Sequence, residues 1–443
     1  MSLRGSDERL AELKRTDNWT NWRWILWEYG CLVAVIGGSV TVAEWVAAAG
    51  LEWWWNVPVF AVAILLIGAI QHRLAGLGHE ASHEILFRNR LMNDLVGDLL
   101  CLFPLFASVH TYRLFHAAHH RFTNDPERDP DLVVLGRSKQ VERFPMDRRR
   151  FVVTQLLRWL TNPWSMVRYQ MDYFYINTLG KGGNPLLRGL EGSDVDDPRP
   201  RLGTVLGILG VVGYGVVLGV MNRVGLGEWL LAALGVGLVV AGVGMAWVPE
   251  RWLFRSPFEQ AYGPRVGGFL RVAYYLVVLT GMASARGVTG GRVVWYGLWL
   301  WLVPLGTSFA YCMLLRDLFQ HTNADAGRLT NSRVFRPGRL LRWAVFVYGQ
   351  DIHLTHHLYP GVPHYRLREL HEWLRQEDPR YAAAVVECGG LFRGDGRRPA
   401  IVDVLGPRWA GPAAGAIAAA RRGRPEVGSG LRSQTEVDRR ALS

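Results

Sequence analysis

The chain has few cysteines, and none of them has the spacing of a metal site or a disulfide framework. Its four cysteines (Cys31, Cys101, Cys312 and Cys388) are scattered over 443 residues without a C-x-x-C pair. Thiolate ligation and a disulfide scaffold are therefore not predicted. The glycine-rich run at residues 207–215 is apolar throughout and has no strand before it. We interpret it as small residues that let membrane helices approach closely, and not as a phosphate-binding loop.

Long apolar runs are abundant. Hydrophobic residues make up 49% of the chain, which also has 19 tryptophans. A helix that spans a bilayer needs roughly 20 apolar residues. We therefore predict an all-α, multi-pass integral membrane protein with four to six spanning helices. The apolar runs that could cross lie at about residues 25–49, 57–75, 202–221, 229–248, 267–284 and 293–314.

The charge balance is basic, with 50 Lys+Arg against 38 Asp+Glu and a formal net charge of +12. Nucleic-acid binding is one explanation, but the arginines stand between the apolar runs and in the C-terminal tail. Cytoplasmic loops rich in Lys and Arg explain that placement better, so no nucleic-acid partner is expected. We predict a cytoplasmic N-terminal segment (1–24), a membrane domain (25–400) with a cytoplasmic insertion (121–200), and a disordered tail (401–443).

The histidines are concentrated in a few places, which hold nine of the thirteen. One cluster has the pattern H-x-x-x-H, two have the pattern H-x-x-H-H, and one histidine stands alone before the last cluster. Residues three and four apart on a helix lie on one face, about 5–6 Å apart. Each cluster can therefore point its imidazoles at one place. The nine are His79, His83, His116, His119, His120, His321, His353, His356 and His357.

Such clusters are typical of metal ligands. Imidazole suits iron, copper, zinc and nickel, and nine nitrogens are too many for one ion, so we predict two metal ions. The alternative is that the clusters are solvated helix faces or core histidines. Clusters that supply one site must lie on one face of the membrane. The apolar stretch 91–109 between the first two clusters is therefore interpreted as interfacial or re-entrant, and the clusters as lining a cytoplasmic cap.

The three clusters, in this order and separated by membrane spans, resemble the histidine boxes of the membrane fatty acid desaturase/hydroxylase family. The resemblance covers about residues 55–372. It implies a non-haem di-iron centre on the cytoplasmic face, with the histidines of all three boxes as ligands. The family takes a further ligand from the approach to the third box, and His321 matches that position.

Asp317 departs from the family pattern. In acyl-CoA desaturases of this family, an asparagine four residues before the extra histidine reaches a metal through water, and Asp317 stands at that position here. We assign Asp317 either to a place behind the metal ligands or to a salt bridge with Arg316 or another base.

Other polar residues near the boxes are assigned supporting roles. Carboxylates commonly orient metal-bound imidazoles through the second ring nitrogen. His72 is assigned to helix packing or the membrane interface, with the metal site as the alternative, His110 to structure, and His364 and His371 to solvated positions. The candidate carboxylates are Glu80, Asp125, Asp129 and Asp351.

The resemblance implies an oxidoreductase, an O2-dependent desaturase that introduces a double bond into a long lipid acyl chain. Breaking an unactivated C–H bond needs an oxidant made from O2 and two electrons, which iron can supply and zinc cannot. The sequence has no H-P-G-G haem motif, no four-cysteine iron–sulfur site and no dinucleotide-binding loop. We therefore expect an external electron carrier such as ferredoxin.

Two alternatives stay open. A hydroxylase or ketolase of a hydrocarbon, sphingoid or carotenoid chain would use the same metal site and transfer oxygen instead of removing a second hydrogen. A membrane haem or transport protein is the alternative from a different class. Haem ligands would sit singly and deep within the spans, whereas these histidines are clustered and flank the spans.

Overall fold

A computed structural model describes residues 3–132, 143–158, 162, 164–179, 199–289 and 291–409. The first half of the chain contains α1 (Leu3–Leu13), α2 (Thr20–Ala48), α3 (Val57–Ser82), α4 (Arg90–Val96), α5 (Val109–Phe122), α6 (Arg148–Phe151), α7 (Trp164–Leu179), α8 (Arg199–Arg223) and α9 (Leu230–Trp247). The second half contains α10 (Pro264–Ser284), α11 (Arg286–Thr289), α12 (Val293–Gly297), α13 (Ala310–His321), α14 (Arg339–Ala344), α15 (His353–Leu358), α16 (Leu367–Glu377), α17 (Pro379–Ala384) and α18 (Ile401–Val404).

Shorter 3₁₀ and π segments extend or join these helices. They are Trp53–Asn56, Gly97–Leu102, Phe103–Leu105, Val152–Leu156, Gly227–Trp229, Glu250–Trp252, Leu298–Leu302, Leu305–Phe309 and Gln350–Ile352. In the described residues the β-structure is one parallel pair, β1 (Val334–Phe335) and β2 (Glu387–Cys388). The prediction of an all-α protein is confirmed.

Among the described residues, six helical segments are long and apolar enough to cross a membrane. They confirm the multi-pass prediction, at the upper end of the four to six spans expected. The second span continues past the apolar run into the first histidine box, so His79 lies in its last turn. The six segments are Thr20–Ala48, Trp53–Ser82, Arg199–Arg223, Gly227–Trp247, Pro264–Ser284 and Val293–His321.

The apolar stretch between the first two boxes is folded as a bent pair of helices. Arg90–Leu105 and Val109–Phe122 meet at an angle of 85°. The bend is held by Asp98, whose carboxylate accepts a hydrogen bond from the backbone N–H of Val109 at 2.6 Å. Since α5 then carries its histidines back to those at the end of α3, the geometry agrees with the re-entrant interpretation.

The sixth span packs closely against α3. At Gly68 of α3, an added Cβ would lie 1.9 Å from Ser308 Oγ and 2.6 Å from the backbone nitrogen of Phe309. The Ser308 hydroxyl in turn donates a hydrogen bond of 2.6 Å to the carbonyl oxygen of Ile64. This close approach aligns the two spans, so that α13 delivers His321 beside the end of α3.

The glycine-rich run in α8 does not mediate comparable packing. An added Cβ at Gly207, Gly210 or Gly213 would meet no described atom within 4 Å. The interpretation that the run allows close helix approach is therefore wrong at these three glycines, and at Gly215 a Cβ would be in ordinary contact with Leu279, 3.5 Å from its Cδ1. Close approach occurs instead at Gly203, where a Cβ would lie 2.3 Å from the carbonyl oxygen of Trp252.

The 121–200 insertion contributes to the core of the fold. Its helix α7 buries Tyr169 and Tyr173, which are 1% and 5% exposed, against the sixth span and α5. The parts of the insertion at 133–142, 159–161, 163 and 180–198 lie outside the described residues.

The folded region extends beyond the predicted boundary at residue 401. Ile401, Val402 and Leu405 are at most 3% exposed, and the carbonyl oxygen of Leu405 accepts a 2.9 Å hydrogen bond from the backbone of Met146. The start of the tail was therefore placed too early. The remainder of the predicted disordered tail, 410–443, lies outside the described residues.

Candidate metal centre

The helices bring all nine clustered histidines together in two adjacent groups. Within each group, one ring nitrogen of every histidine lies within 4.8 Å of those of the others. The first group is His79, His83, His116, His120 and His356, and the second is His119, His321, His353 and His357.

The helical spacing of the H-x-x-H-H boxes explains how each box serves both groups. At about 100° per residue, positions i and i+4 lie 40° apart, whereas position i+3 points to the other side of i. His116 and His120 therefore face the first group, and His119 faces the second. The third box divides in the same way with the groups exchanged, because His353 and His357 join the second group and His356 joins the first.

More ring nitrogens converge on one atom than hydrogen bonds can pair. His120 Nε2 lies 2.9 Å from His116 Nε2 and 3.1 Å from His356 Nε2. One Nε2 carries either a proton or a lone pair, so it cannot satisfy both neighbours. Two nitrogens bound at right angles to an ion, each about 2.1 Å from it, are about 3.0 Å apart. These separations fit ligands that share a metal ion.

The second group shows the same spacing. His353 Nε2 lies 2.9 Å from His321 Nε2 and 3.1 Å from His357 Nε2.

In the first group, His83 Nε2 is buried and has no hydrogen-bond partner among the described residues. A buried ring nitrogen without a partner is costly unless it binds something else. Both groups therefore fit metal ions.

Burial keeps most of these imidazoles neutral. It lowers the pKa of His116, His120 and His356 well below the usual value, and the neighbouring imidazoles lower it further. Burial and then the charge of Arg113 lower the pKa of His83 to about 3. A neutral imidazole has the lone pair that a metal ion needs.

His119 is the exception, because two carboxylates lie beside it. Its Nδ1 is 2.9 Å from an Asp129 oxygen and 3.2 Å from an Asp131 oxygen. Burial lowers the pKa of His119, but Asp129 and Asp131 outweigh burial and raise it to about 9. The two carboxylates hold a proton on Nδ1, so Nε2 is the nitrogen left for the second group, where a metal ion would displace its proton. The prediction for Asp129 agrees with this contact, and Asp131 was missed.

Two other predicted carboxylates do not contact a described histidine. Asp125 accepts a 2.7 Å hydrogen bond from Arg128 on the surface. Asp351 is paired with Arg368 at 2.6 Å and with Arg342 at 3.2 Å. These two predictions are wrong, because nearby arginines engage both side chains.

Glu80 is buried beside the first group. Its Oε1 lies 3.6 Å from His79 Nδ1, beyond hydrogen-bond distance, and has no partner among the described residues. Its Oε2 accepts a 2.8 Å hydrogen bond from the backbone of His364.

Asp317 forms the ion pair that was one of its two predicted roles. One carboxylate oxygen lies 2.9 Å from Arg316 Nη2, and the other accepts hydrogen bonds from the hydroxyls of Tyr169 (2.6 Å) and Tyr173 (2.9 Å). The Tyr173 hydroxyl is also 3.1 Å from Asp131. These tyrosines were missed in the sequence, where their spacing of four residues on an insertion helix was the available signal.

The other four histidines lie outside both groups. His72 Nδ1 donates to the carbonyl oxygen of Ala344 at 2.8 Å, which agrees with its packing assignment. His110 is buried against Tyr262, which agrees with a structural role.

The solvated positions predicted for His364 and His371 are wrong, since these side chains are 8% and 0% exposed. His364 Nε2 lies 2.9 Å from Asn21 Oδ1, and His371 Nδ1 lies 2.6 Å from the hydroxyl of Tyr381. The same hydroxyl is 2.7 Å from Thr355 in the third box. Both histidines therefore hold the box-three region against neighbouring helices.

A model of a known protein family matches most of the chain. The model of the fatty acid desaturase family matches residues 53–252 and 219–389. Dihydrorhizobitoxine desaturase of Bradyrhizobium elkanii is 23% identical over 411 residues, which cover 91% of this chain and 88% of that protein.

Two further relatives match shorter regions. A Delta 8-(E)-sphingolipid desaturase of Emericella nidulans is 26% identical over 29% of this chain and 24% of that protein. The sn-1 acyl-lipid omega-3 desaturase (ferredoxin) of Nostoc is 26% identical over 24% of this chain and 27% of that protein. With the family model matched over both halves of the membrane domain, the chain belongs to the fatty acid desaturase family.

Proposed function

We propose that this membrane oxidoreductase is an O2-dependent di-iron desaturase that introduces a double bond at a fixed position in a long lipid acyl chain. The observation that carries the proposal is the convergence of nine histidines into two adjacent groups, with nitrogens within 4.8 Å in each. The acyl-lipid and sphingolipid names of the relatives support a lipid substrate.

In this proposal each histidine group holds one iron ion. Bound there, the two ions would supply the O2-dependent redox chemistry that removes hydrogen from a saturated carbon. The protein's own carboxylates Asp129 and Asp131 keep the His119 ring in one orientation and offset part of the positive charge. Removing two hydrogens from the substrate, with O2 plus two electrons and two protons, yields the alkene and two water molecules.

The burial of the ligands divides the centre into an inner and an outer side. His83, His120 and His357 are half-buried, whereas the other six histidines are buried. The buried side keeps water from the reacting carbons. We propose that electrons enter on the half-buried side from an external carrier, for which the ferredoxin named in the Nostoc relative is a model.

We also propose that the centre lies on the cytoplasmic face. With six spans and a cytoplasmic N-terminus, the ends of α3 and α13 and both sides of the bent pair lie on that same face. The arginine run 148–150 lies there too, as expected for a cytoplasmic loop.

The function is tested by product analysis. Protein purified in detergent is supplied with iron, an electron carrier with its reductase, and host lipid extract, with His356→Ala as the inactive control. We expect a product lighter than its substrate by two hydrogens, formed only with O2 and reductant. A product heavier by one oxygen atom would instead support the hydroxylase alternative, and turnover without reductant would contradict the proposal.

The orientation is tested by labelling single cysteines with a membrane-impermeant thiol reagent in intact cells. Arg149→Cys lies in the proposed cytoplasmic loop, and Trp54→Cys, at a side chain 53% exposed, lies on the opposite face. We expect labelling at residue 54 only, in a background that lacks the partly exposed Cys31. Labelling at residue 149 would overturn the assigned face.

A further inference from the structure

A cavity lies beside the two histidine groups, and its lining is unexpectedly polar. His79, His116 and His353 form one part of its wall. The lining also includes Arg316, Asp317, Asp131, Tyr112, Tyr173 and Gln320. Phe115 and Met313 are the apolar side chains among the lining residues.

Arg316 lines this cavity and has hydrogen-bonding capacity that the described residues leave partly unused. Its Nε and Nη2 both donate to the same oxygen of Asp317, at 3.2 and 2.9 Å. Its Nη1 makes only a long contact of 3.5 Å with His72 Nε2. A guanidinium has five N–H donors in a fixed plane, so the Nη1 edge is incompletely satisfied although the side chain is 9% exposed.

Tyr112 offers a second donor in the same cavity. Its ring is stacked on that of His116, with centroids 5.4 Å apart and an interplanar angle of 8°. This stacking fixes the direction of the phenol. The described residues offer its hydroxyl no hydrogen bond, and Arg316, Asp131 and Asp317 are close enough to influence it electrostatically.

A purely apolar occupant fits this lining poorly. Methylene groups placed against the Arg316 edge and the Tyr112 hydroxyl would remove water from both without replacing its hydrogen bonds, and such burial is unfavourable. A carboxylate or another anionic acceptor would satisfy both donors, since charge-assisted bonds to Arg are among the strongest available.

We propose that Arg316 and Tyr112 bind an anionic acceptor group of the substrate, such as a carboxylate, inside this cavity. The inference rests on the proposed desaturase function and narrows its substrate class. Because the same cavity is walled by histidines of both groups, the reacting carbons lie within a few bonds of the anionic group. The double bond is then introduced near the polar end of the substrate, and not in the middle of a long chain.

The anionic group can belong to a lipid or to a small water-soluble molecule, and product mapping distinguishes the two. The gene is disrupted in its own organism and restored either as the wild type or as His356→Ala. Extracts are separated into lipid and aqueous phases, and double bonds are located by tandem mass spectrometry. We expect a product lighter by two hydrogens, with its double bond within about three carbons of an anionic group.

Each outcome of this experiment decides something. The phase that contains the product identifies the source of the anionic group. A product in the lipid phase supports the inference for a lipid substrate. A product in the aqueous phase supports it for a small molecule and overturns the long acyl chain of the proposed function. A mid-chain double bond would overturn the inference and keep the desaturase function. A wild-type strain with no product lighter by two hydrogens would overturn the desaturase function itself.

A second experiment separates substrate binding by Arg316 from a purely structural role as the counter-ion of Asp317. The reference variant is Asp317→Asn, and the test variant is Arg316→Gln/Asp317→Asn, so neither leaves a buried carboxylate without its arginine. With the substrate identified above, we expect the double variant to raise KM on the order of 10- to 100-fold over the reference, the loss expected for a bond to a charged group. The kcat should change less.

Tyr112→Phe provides an independent variant that removes one hydroxyl and keeps the stacked ring. We expect KM to rise and the iron content to equal that of the wild type. Equal KM values for Asp317→Asn and the double variant, or an unchanged KM for Tyr112→Phe, would show that the cavity does not bind the anionic group through these residues.

Discussion

Two regions of the membrane domain are both apolar enough to cross a bilayer but differ in how much of them is buried within the protein. The spans Arg199–Arg223 and Gly227–Trp247 have mean hydropathies of 2.2 and 2.1, and 6% of each apolar window is buried within the protein. The span Val293–His321 has a mean hydropathy of 1.6, and 56% of its window is buried. Hydropathy therefore identifies both as crossings but does not distinguish a lipid-facing helix from one that builds the metal centre.

The difference in burial between the two regions originates in a few contacts. Val293–His321 meets α3 at Gly68, carries the buried Arg316–Asp317 pair and ends at His321 in the second histidine group. Buried ionisable groups in a membrane protein are costly and are retained where they have a function. The α8–α9 region has large exposed side chains such as Val239, 65% exposed, as expected of a helix facing lipid.

The largest contrast is expected between a histidine of the metal centre, to which the sixth span contributes His321, and a side chain of α9. His356→Ala removes a nitrogen that lies 3.1 Å from His120 Nε2, and we expect the turnover to fall by more than about 100-fold, beyond the loss typical of residues that only support a ligand. Val239→Ala in α9 is the matched control and should keep the activity. Iron content and product formation are measured for both. Full activity of His356→Ala would remove the histidine groups from the mechanism.

A smaller loss is expected from a carboxylate behind the ligands. Asp129→Asn keeps the shape of the side chain but removes the charge beside His119 Nδ1, so we expect iron affinity to fall by about 10- to 100-fold. Asp125→Asn, four residues earlier, changes a carboxylate that pairs with Arg128 and should leave the affinity unchanged. Iron affinity is measured by competition with an iron chelator. Equal affinities for Asp129→Asn and Asp125→Asn would contradict the supporting role of Asp129.

The smallest effect concerns packing. Gly68→Ala would place a Cβ 2.6 Å from the backbone nitrogen of Phe309 in the sixth span, and overpacking of this kind destabilises by about 1–3 kcal/mol. Gly210→Ala in α8 meets no described atom within 4 Å and should be neutral or slightly stabilising, since alanine is the better helix former. Thermal unfolding in one detergent compares the pair. A lower stability of the α8 variant would reverse the distinction between the two regions.

The parts of the site that follow from local spacing were predictable from the sequence. The histidine boxes are helical, so i, i+3 and i+4 positions determine which imidazoles converge, and all nine do. Tyr169 and Tyr173 were not found because they reach the site only through the packing of the insertion helix against α13. Asp131 was not found because its contact with His119 depends on how the loop after the second box folds. His371 was misassigned because its partner Tyr381 lies on the following helix. Its burial depends on how these two helices pack.

The central claim is that the two histidine groups hold two iron ions, and metal analysis tests it most directly. Protein purified in detergent without oxygen, supplied with ferrous iron and freed of unbound metal, is analysed by mass spectrometry of its elements and by absorption spectroscopy. The account predicts about two iron ions per chain, no haem absorption, and a loss of iron in His356→Ala and in His353→Ala, one from each group. Haem or no iron in the wild-type protein would contradict the claim, and so would an iron content that is the same in the wild type and in both variants.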